Sequence, residues 1–168
     1  VDVFVIALGF VLRAVGGGVV CSVVISDWLI ICTFLMALFL GLCKRRHEIR
    51  LAETDITASF RPSLRQSNER LLDQLIAIAA AATVISYAVY TQSPDTFAKF
   101  GTRHLSLTTP FVLFGIFRYL DLVYRHSKGG QPEYILLTDL PLLADLVLYG
   151  LTVILIIKRT AITTFLVP

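Results

Sequence analysis

Lysine, arginine, aspartate and glutamate make up only 16% of the 168 residues, where a soluble domain carries about 25%. The few charges cluster, so long stretches have none. That shortage argues against a soluble globular domain and for a polytopic membrane protein. Cysteine is sparse too. Cys21, Cys32 and Cys43 lie in or beside apolar stretches with neither CxxC nor zinc-ligand spacing, which reads as buried free thiols. The three histidines, His47, His104 and His126, are scattered and define no metal site. P-loop, GxSxG and HExxH patterns are absent, and no solenoid-type repeat is visible. No signal-peptide pattern precedes Val1, which already lies in an apolar run. A natural chain opens on methionine, so a fragment lacking its N-terminal part is expected.

What is present is apolar: 56% of the chain. Five stretches stand out, at 1–25, 28–43, 71–90, 105–124 and 140–157. Each approaches the roughly 20 residues that cross a bilayer as a helix. Buried strands of a parallel sheet are shorter than this, and no amphipathic helices remain to cover such a sheet. Helices apolar all round are membrane spans or the core of a much larger protein. Gly9, Gly16, Gly17, Gly18 and the alanine-rich run 77–82 suit close helix packing. Segment 44–70 holds seven Lys or Arg, segment 22–27 none, and Arg125 and Lys128 follow the fourth stretch. The positive-inside rule therefore sets the Lys44 and Arg125 segments in the cytosol.

The sharpest change in the sequence is "LFLGLCKRRHEIR" (38–50), where sixteen uncharged residues run into a basic cluster. A topology anchor with snorkelling side chains accounts for basic residues there. Lys44 and Glu48, however, lie at i and i+4 on a continued helix and share a face. An anchor needs no carboxylate at a fixed offset, whereas a phosphorylated-substrate site uses such mixed groups. Arg13 sits midway along the first stretch, where a charge costs about 2.5–3.5 kcal/mol and faces a partner or a wet cavity. Asp2 is too far along the helix to pair with it. Arg118 and Asp121 are spaced for an i, i+3 pair, and Arg118-Tyr119 could equally line a polar pocket. Asp139 before Pro141 suits an N-cap with a first-turn proline; Asp145 is weaker evidence of a site.

At these residues the sequence resembles the UbiA superfamily of intramembrane prenyltransferases, and within it the decaprenyl-phosphate phosphoribosyltransferase branch. The segments that carry the likeness are "GFVLRAVGGG" (9–18), 25–49, "SNERLLDQL" (67–75), "PFVLFGIFRYLDLV" (110–123) and "GGQPEYILLTDLPLL" (129–143). The resemblance implies an all-α, polytopic transmembrane bundle whose five helices match the last five of nine. Residues 1–157 would be the C-terminal part of that single domain, and 158–168 a tail. The family's NDxxDxxxD metal motif would lie upstream of Val1, so catalytic residues are unknown. Its second motif, usually DxxxD, is here KxxxE: Lys44 stands where the family's carboxylate would meet a second Mg²⁺. Cys43 replaces the glycine usual before that lysine.

By the resemblance, Lys44, Arg45, Arg46, Glu48, Arg13 and Arg118 bind substrate phosphate. Tyr119, Glu133 and Asp139 line the pocket, and Glu48 is a candidate Mg²⁺ ligand. The implied reaction moves a 5-phosphoribosyl group from phosphoribosyl pyrophosphate to a polyprenyl phosphate, with Mg²⁺ as cofactor. The implied setting is a multi-pass protein of the cytoplasmic membrane, with membrane lipids around it and no nucleic-acid partner; a homo-oligomer stays open. Two other readings stand beside it: a UbiA-type aromatic prenyltransferase, and a non-enzymatic scaffold or transporter half.

Overall fold

The computed structural model describes residues 2–22, 25–52, 62–102, 104–125 and 137–166. They form helices α1 (Asp2–Val20), α2 (Asp27–Ala52), α3 (Pro62–Gln92), α4 (Pro94–Phe100), α5 (Thr109–Arg125) and α6 (Leu140–Leu166), with a 3-10 turn His104–Thr108 leading into α5. Among the described residues there is no strand. Five spans are long and apolar enough to cross a membrane: Asp2–Val20, Asp27–Arg50, Glu69–Gln92, His104–Arg125 and Leu140–Arg159. The chain is a polytopic helical membrane protein. Its first and last spans are the least covered by the rest of the bundle.

Helix extends beyond the apolar stretches in three places, each for a local reason. α2 runs past the second apolar stretch, through the basic cluster to Ala52, and α3 begins at Pro62, ahead of the third. Arginine, lysine and glutamate are good helix formers, so losing apolar character does not end a helix. The linker 91–104 holds α4, capped at both ends. Ser93 accepts from the Thr96 amide at 3.3 Å, Pro94 occupies the first turn, and Gly101 closes the helix at φ 65°. Finally, α6 continues through 158–166, where a tail was expected, because "IIKRTAITTFL" contains neither proline nor glycine to stop it.

The core joins α2, α3, α5 and the start of α6. Phe39, Leu42 and Cys43 pack with Ile76, Ala79 and Ala80, and with Ile116, Tyr119, Leu122 and Val123. The residues from α2 fall at i, i+3 and i+4, which is one helical face. The alanines of α3 let α2 approach closely. At one end Phe39 meets Tyr119 edge-on, with ring centres 5.6 Å apart and planes at 60°. At the other end a chain of hydroxyls ties three elements together. Tyr87 lies 2.7 Å from Thr108 Oγ1 and 3.0 Å from the Tyr149 hydroxyl. Thr108 already donates its single proton to the Leu105 carbonyl. Tyr87 must therefore donate to Thr108, and Tyr149 to Tyr87.

That direction sets an order of cost. Tyr87→Phe strands both the Tyr149 donor and the Thr108 acceptor, and should lower stability by about 1 kcal/mol. Tyr149→Phe removes only a donor to Tyr87 and should cost visibly less. Unfolding of the two variants in mixed micelles checks this; equal losses would mean that the hydroxyls run the other way.

Candidate functional site

An apolar slot of about 190 Å³ opens between α2 on one side and α5 with α6 on the other. Met36, Phe39 and Leu40 form its α2 wall, and Phe111 to Tyr119 supply the α5 wall. Leu142, Asp145, Leu146 and Tyr149 form the third. Their spacings on α2 (36, 40) and α6 (142, 145, 146, 149) are those of single helical faces. Asp145 is the one charged side chain on the lining. It fits because Gly115 has no side chain, and a Cβ there would stand 3.2 Å from Asp145 Oδ2. The Phe39–Tyr119 contact closes one end of the slot, and Tyr149 marks the other.

Beyond the Tyr119 end lie the charges. Lys44 follows Leu40 by four residues, so it continues the slot face of α2 by one turn, and it is exposed. Arg45 is exposed and pairs with Glu48 at 3.4 Å on the surface, a contact worth little by itself. Arg46 turns the other way. It is 5% exposed, its Nε bonds Asp73 Oδ1, and its guanidinium lies 3.9 Å over the Tyr124 ring. Tyr124 donates to the same Asp73 oxygen at 2.8 Å. The cluster read as one set of phosphate ligands thus divides into an outward part and an inward part.

Arg118 uses all three of its nitrogens and three of its five N–H donors. Nε and Nη2 donate to the two oxygens of Asp139 at 3.0 and 2.8 Å, and Nη1 donates to Asp121 at 3.2 Å. Asp139 also accepts the Leu142 amide at 3.0 Å, capping α6 as its position before Pro141 predicted. Asp121 takes Arg125 at 2.7 Å as well. Tyr119 is 4% exposed and belongs to the core while lining the slot. Arg13 stands apart. Val3 of α1 packs at Gly41 of α2, and Arg13 is ten residues on, about 15 Å further from the Lys44 end. It is exposed on α1, its guanidinium 5.6 Å from the Phe10 ring centre. The structure does not bring it to Lys44 or Arg118. Glu133 lies outside the described residues.

Among the described residues no three of His, Cys, Asp and Glu gather where a metal ion would bind. Glu48 offers one exposed carboxylate, already facing Arg45. These residues do not make a magnesium site, so no step below is routed through the ion.

Sequence reasoning missed Asp73, Tyr124 and the Tyr87–Tyr149 pair. A signal for part of this was present: Phe39, Leu42, Cys43 and Arg46 repeat at i, i+3, i+4 and i+7, which places Arg46 on the buried face. Asp73 likewise shares the spacing of Ile76 and Ala80.

Fold and site together define a polytopic helical membrane protein with an apolar slot and cations beyond one of its ends. The chain is a homologue of decaprenyl-phosphate phosphoribosyltransferases. That of Corynebacterium glutamicum is 31% identical over 144 residues, covering 83% of this chain and 41% of the relative. The Mycolicibacterium smegmatis protein of the same name is 29% identical over 146 residues, covering 82% and 45%. The Mycobacterium tuberculosis protein is 30% identical over 139 residues, covering 83% and 44%. The chain thus spans less than half the length of these relatives. No protein-family model matches it.

Asp139 is the residue on which two helices converge here. Asp139→Ala removes a paired carboxylate and a helix cap, and should cost more than the roughly 1 kcal/mol of the cap alone. Asp121→Ala removes one of Arg118's three bonds and should cost about 1 kcal/mol or less. Reversible unfolding in detergent compares them; parity would show that the bidentate bond does not anchor α6.

Proposed function

We propose that this chain forms part of a membrane-embedded transferase that moves a 5-phosphoribosyl group from phosphoribosyl pyrophosphate onto a polyprenyl phosphate. One observation carries the reading. The slot is apolar along nearly all its length, and one turn beyond its Tyr119 end α2 carries the exposed Lys44 and Arg45, so an amphiphile with an anionic head and an apolar chain fits it with the head at that end. Decaprenyl phosphate, the lipid named in the homologues, has that chemistry. By the positive-inside argument the Lys44 end faces the cytosol, where a water-soluble sugar donor arrives.

In the reaction an oxygen of the lipid phosphate attacks C1 of the ribose, and the C1–diphosphate bond breaks. Positive charge develops on the ring carbon, and negative charge grows on the departing diphosphate. The ammonium group of Lys44 lies where it meets that growing charge, and Arg45 adds positive potential beside it. Arg118 has all its nitrogens engaged. It fixes α5 against the start of α6, which sets the slot width, and its two remaining N–H groups leave it able to meet phosphate as well. Mg²⁺ is proposed as a companion of the donor diphosphate, held outside the residues described here. An acceptor with an aromatic ring would want a wide pocket, whereas the Phe39–Tyr119 contact narrows the slot beside the cations.

The full-length protein in nanodiscs should transfer labelled ribose phosphate to decaprenyl phosphate. Lys44→Gln should lower that rate by about 100-fold, as loss of one preorganised charge commonly does. Arg125→Gln, at an exposed helix end, should leave it within about twofold. Label appearing on a prenylated aromatic instead, or a Lys44→Gln enzyme as fast as the parent, would defeat the reading.

A further inference from the structure

We infer that Asp73 and Tyr124 are positioning residues: they hold Arg46, and thereby fix the end of α2 that carries Lys44 against α3 and α5. The inference rests on the reading of Lys44 as a ligand for substrate phosphate, and it names residues that reading leaves out.

Exposure alternates sharply within five residues. Lys44, Arg45 and Glu48 are exposed, while Arg46 between them is 5% exposed. Taking a guanidinium out of water costs several kcal/mol unless it is paired and hydrogen-bonded. A membrane-surface anchor avoids that cost by snorkelling. Here the burial is built in. Arg46 of α2 bonds Asp73 of α3 and lies over the Tyr124 ring of α5, and Tyr124 donates to the same Asp73 oxygen. Each of the three residues touches the other two, and each comes from a different helix.

The place of this triangle gives it a task. α2 packs extensively on α1 and α3 but sparsely on α5. Two ring contacts bridge that sparse interface: Phe39 with Tyr119, and Arg46 with Tyr124. They advance in the same direction along both helices, so together they fix the register and spacing of α2 against α5. Lys44 lies between Phe39 and Arg46 in the chain. Its distance from the α5 wall, and so from a phosphate seated at the slot, is set by that pair of contacts. Phe39–Tyr119 alone is a single pivot; the triangle supplies the second point. A displacement of about 1 Å at a group that grips a charged ligand is enough to weaken it strongly.

The test uses the full-length protein in nanodiscs, with steady-state kinetics in which phosphoribosyl pyrophosphate is varied and melting is followed separately. Asp73→Asn should raise KM for the donor about 10-fold with kcat within about twofold. Tyr124→Phe, which keeps the ring over Arg46 and loses only the bond to Asp73, should raise KM less, and Asp73→Glu should recover part of the loss. Donor KM equal to the parent's in both Asp73→Asn and Tyr124→Phe overturns the inference, whether or not melting falls. So does a drop in kcat at constant KM. If Asp73→Asn does not fold, Tyr124→Phe decides alone. A parent enzyme without phosphoribosyl transfer overturns the proposed function instead. A parent that transfers and depends on Lys44, with variants indifferent to Asp73 and Tyr124, overturns this inference and leaves the function standing.

Discussion

Arg118 and Asp139 meet through two parallel N–H···O bonds, and one of those carboxylate oxygens also accepts the Leu142 amide. A guanidinium is a rigid fork of donors, and a carboxylate that takes two of them in parallel fixes its direction as well as its charge. Asp139 fills two of them and the start of a helix at once. The direction of α6 relative to α5 follows from that double use: the cap fixes where α6 begins, and the bidentate pair fixes how close that point lies to α5. Leu142, Asp145 and Tyr149 are then carried into place along one face. Gly115 permits the approach, since a side chain there would meet the Asp145 carboxylate.

The same constraint sorts the cations into two kinds. Arg46 and Arg118 are arginines with carboxylate partners on other elements, and both hold helices together. Arginine suits this work because its planar fork offers several donors in fixed geometry. Lys44 has no ion pair among the described residues, and its three donors rotate freely on a flexible stem. A compact, mobile charge is better suited to following a phosphate that enters, reacts and leaves. The basic cluster is therefore one sequence feature with two physical roles, split by the helical phase of neighbouring residues.

Much of this was legible before any coordinates. The five spans follow from apolar length, the Asp139 cap from its place before Pro141, and the Arg118–Asp121 pair from its i, i+3 spacing. All three are local properties. The full helical extensions past the membrane were not read because apolar length marks only the spans, although the charged residues beyond them favour helix. The Arg46–Asp73–Tyr124 triangle joins positions 27 and 51 residues apart. No local spacing announces such a contact. Periodicity tells that Arg46 faces inward, but the partner it finds there depends on how three helices pack. Arg13 shows the converse limit: its cost in a membrane was plain from the sequence, while its place relative to the Lys44 end required the packing of Val3 on Gly41.

Between the two tied ends the bundle stays open. Phe39 and Tyr119 meet at the charged end, and Tyr87, Thr108 and Tyr149 join through their hydroxyls at the other. Side chains of the middle turns do not close the gap, and the slot remains. Its walls offer an apolar chain dispersion contact but no hydrogen bond except at Asp145 and the tyrosine hydroxyls. A phosphate moved inward would approach the Asp145 carboxylate with like charge; at about 6 Å and an effective dielectric constant near 20 the repulsion is about 3 kcal/mol. Moved outward, it meets Lys44. The electrostatics along the slot thus run in one direction, and they favour the proposed anionic head group at the Tyr119 end with its chain within.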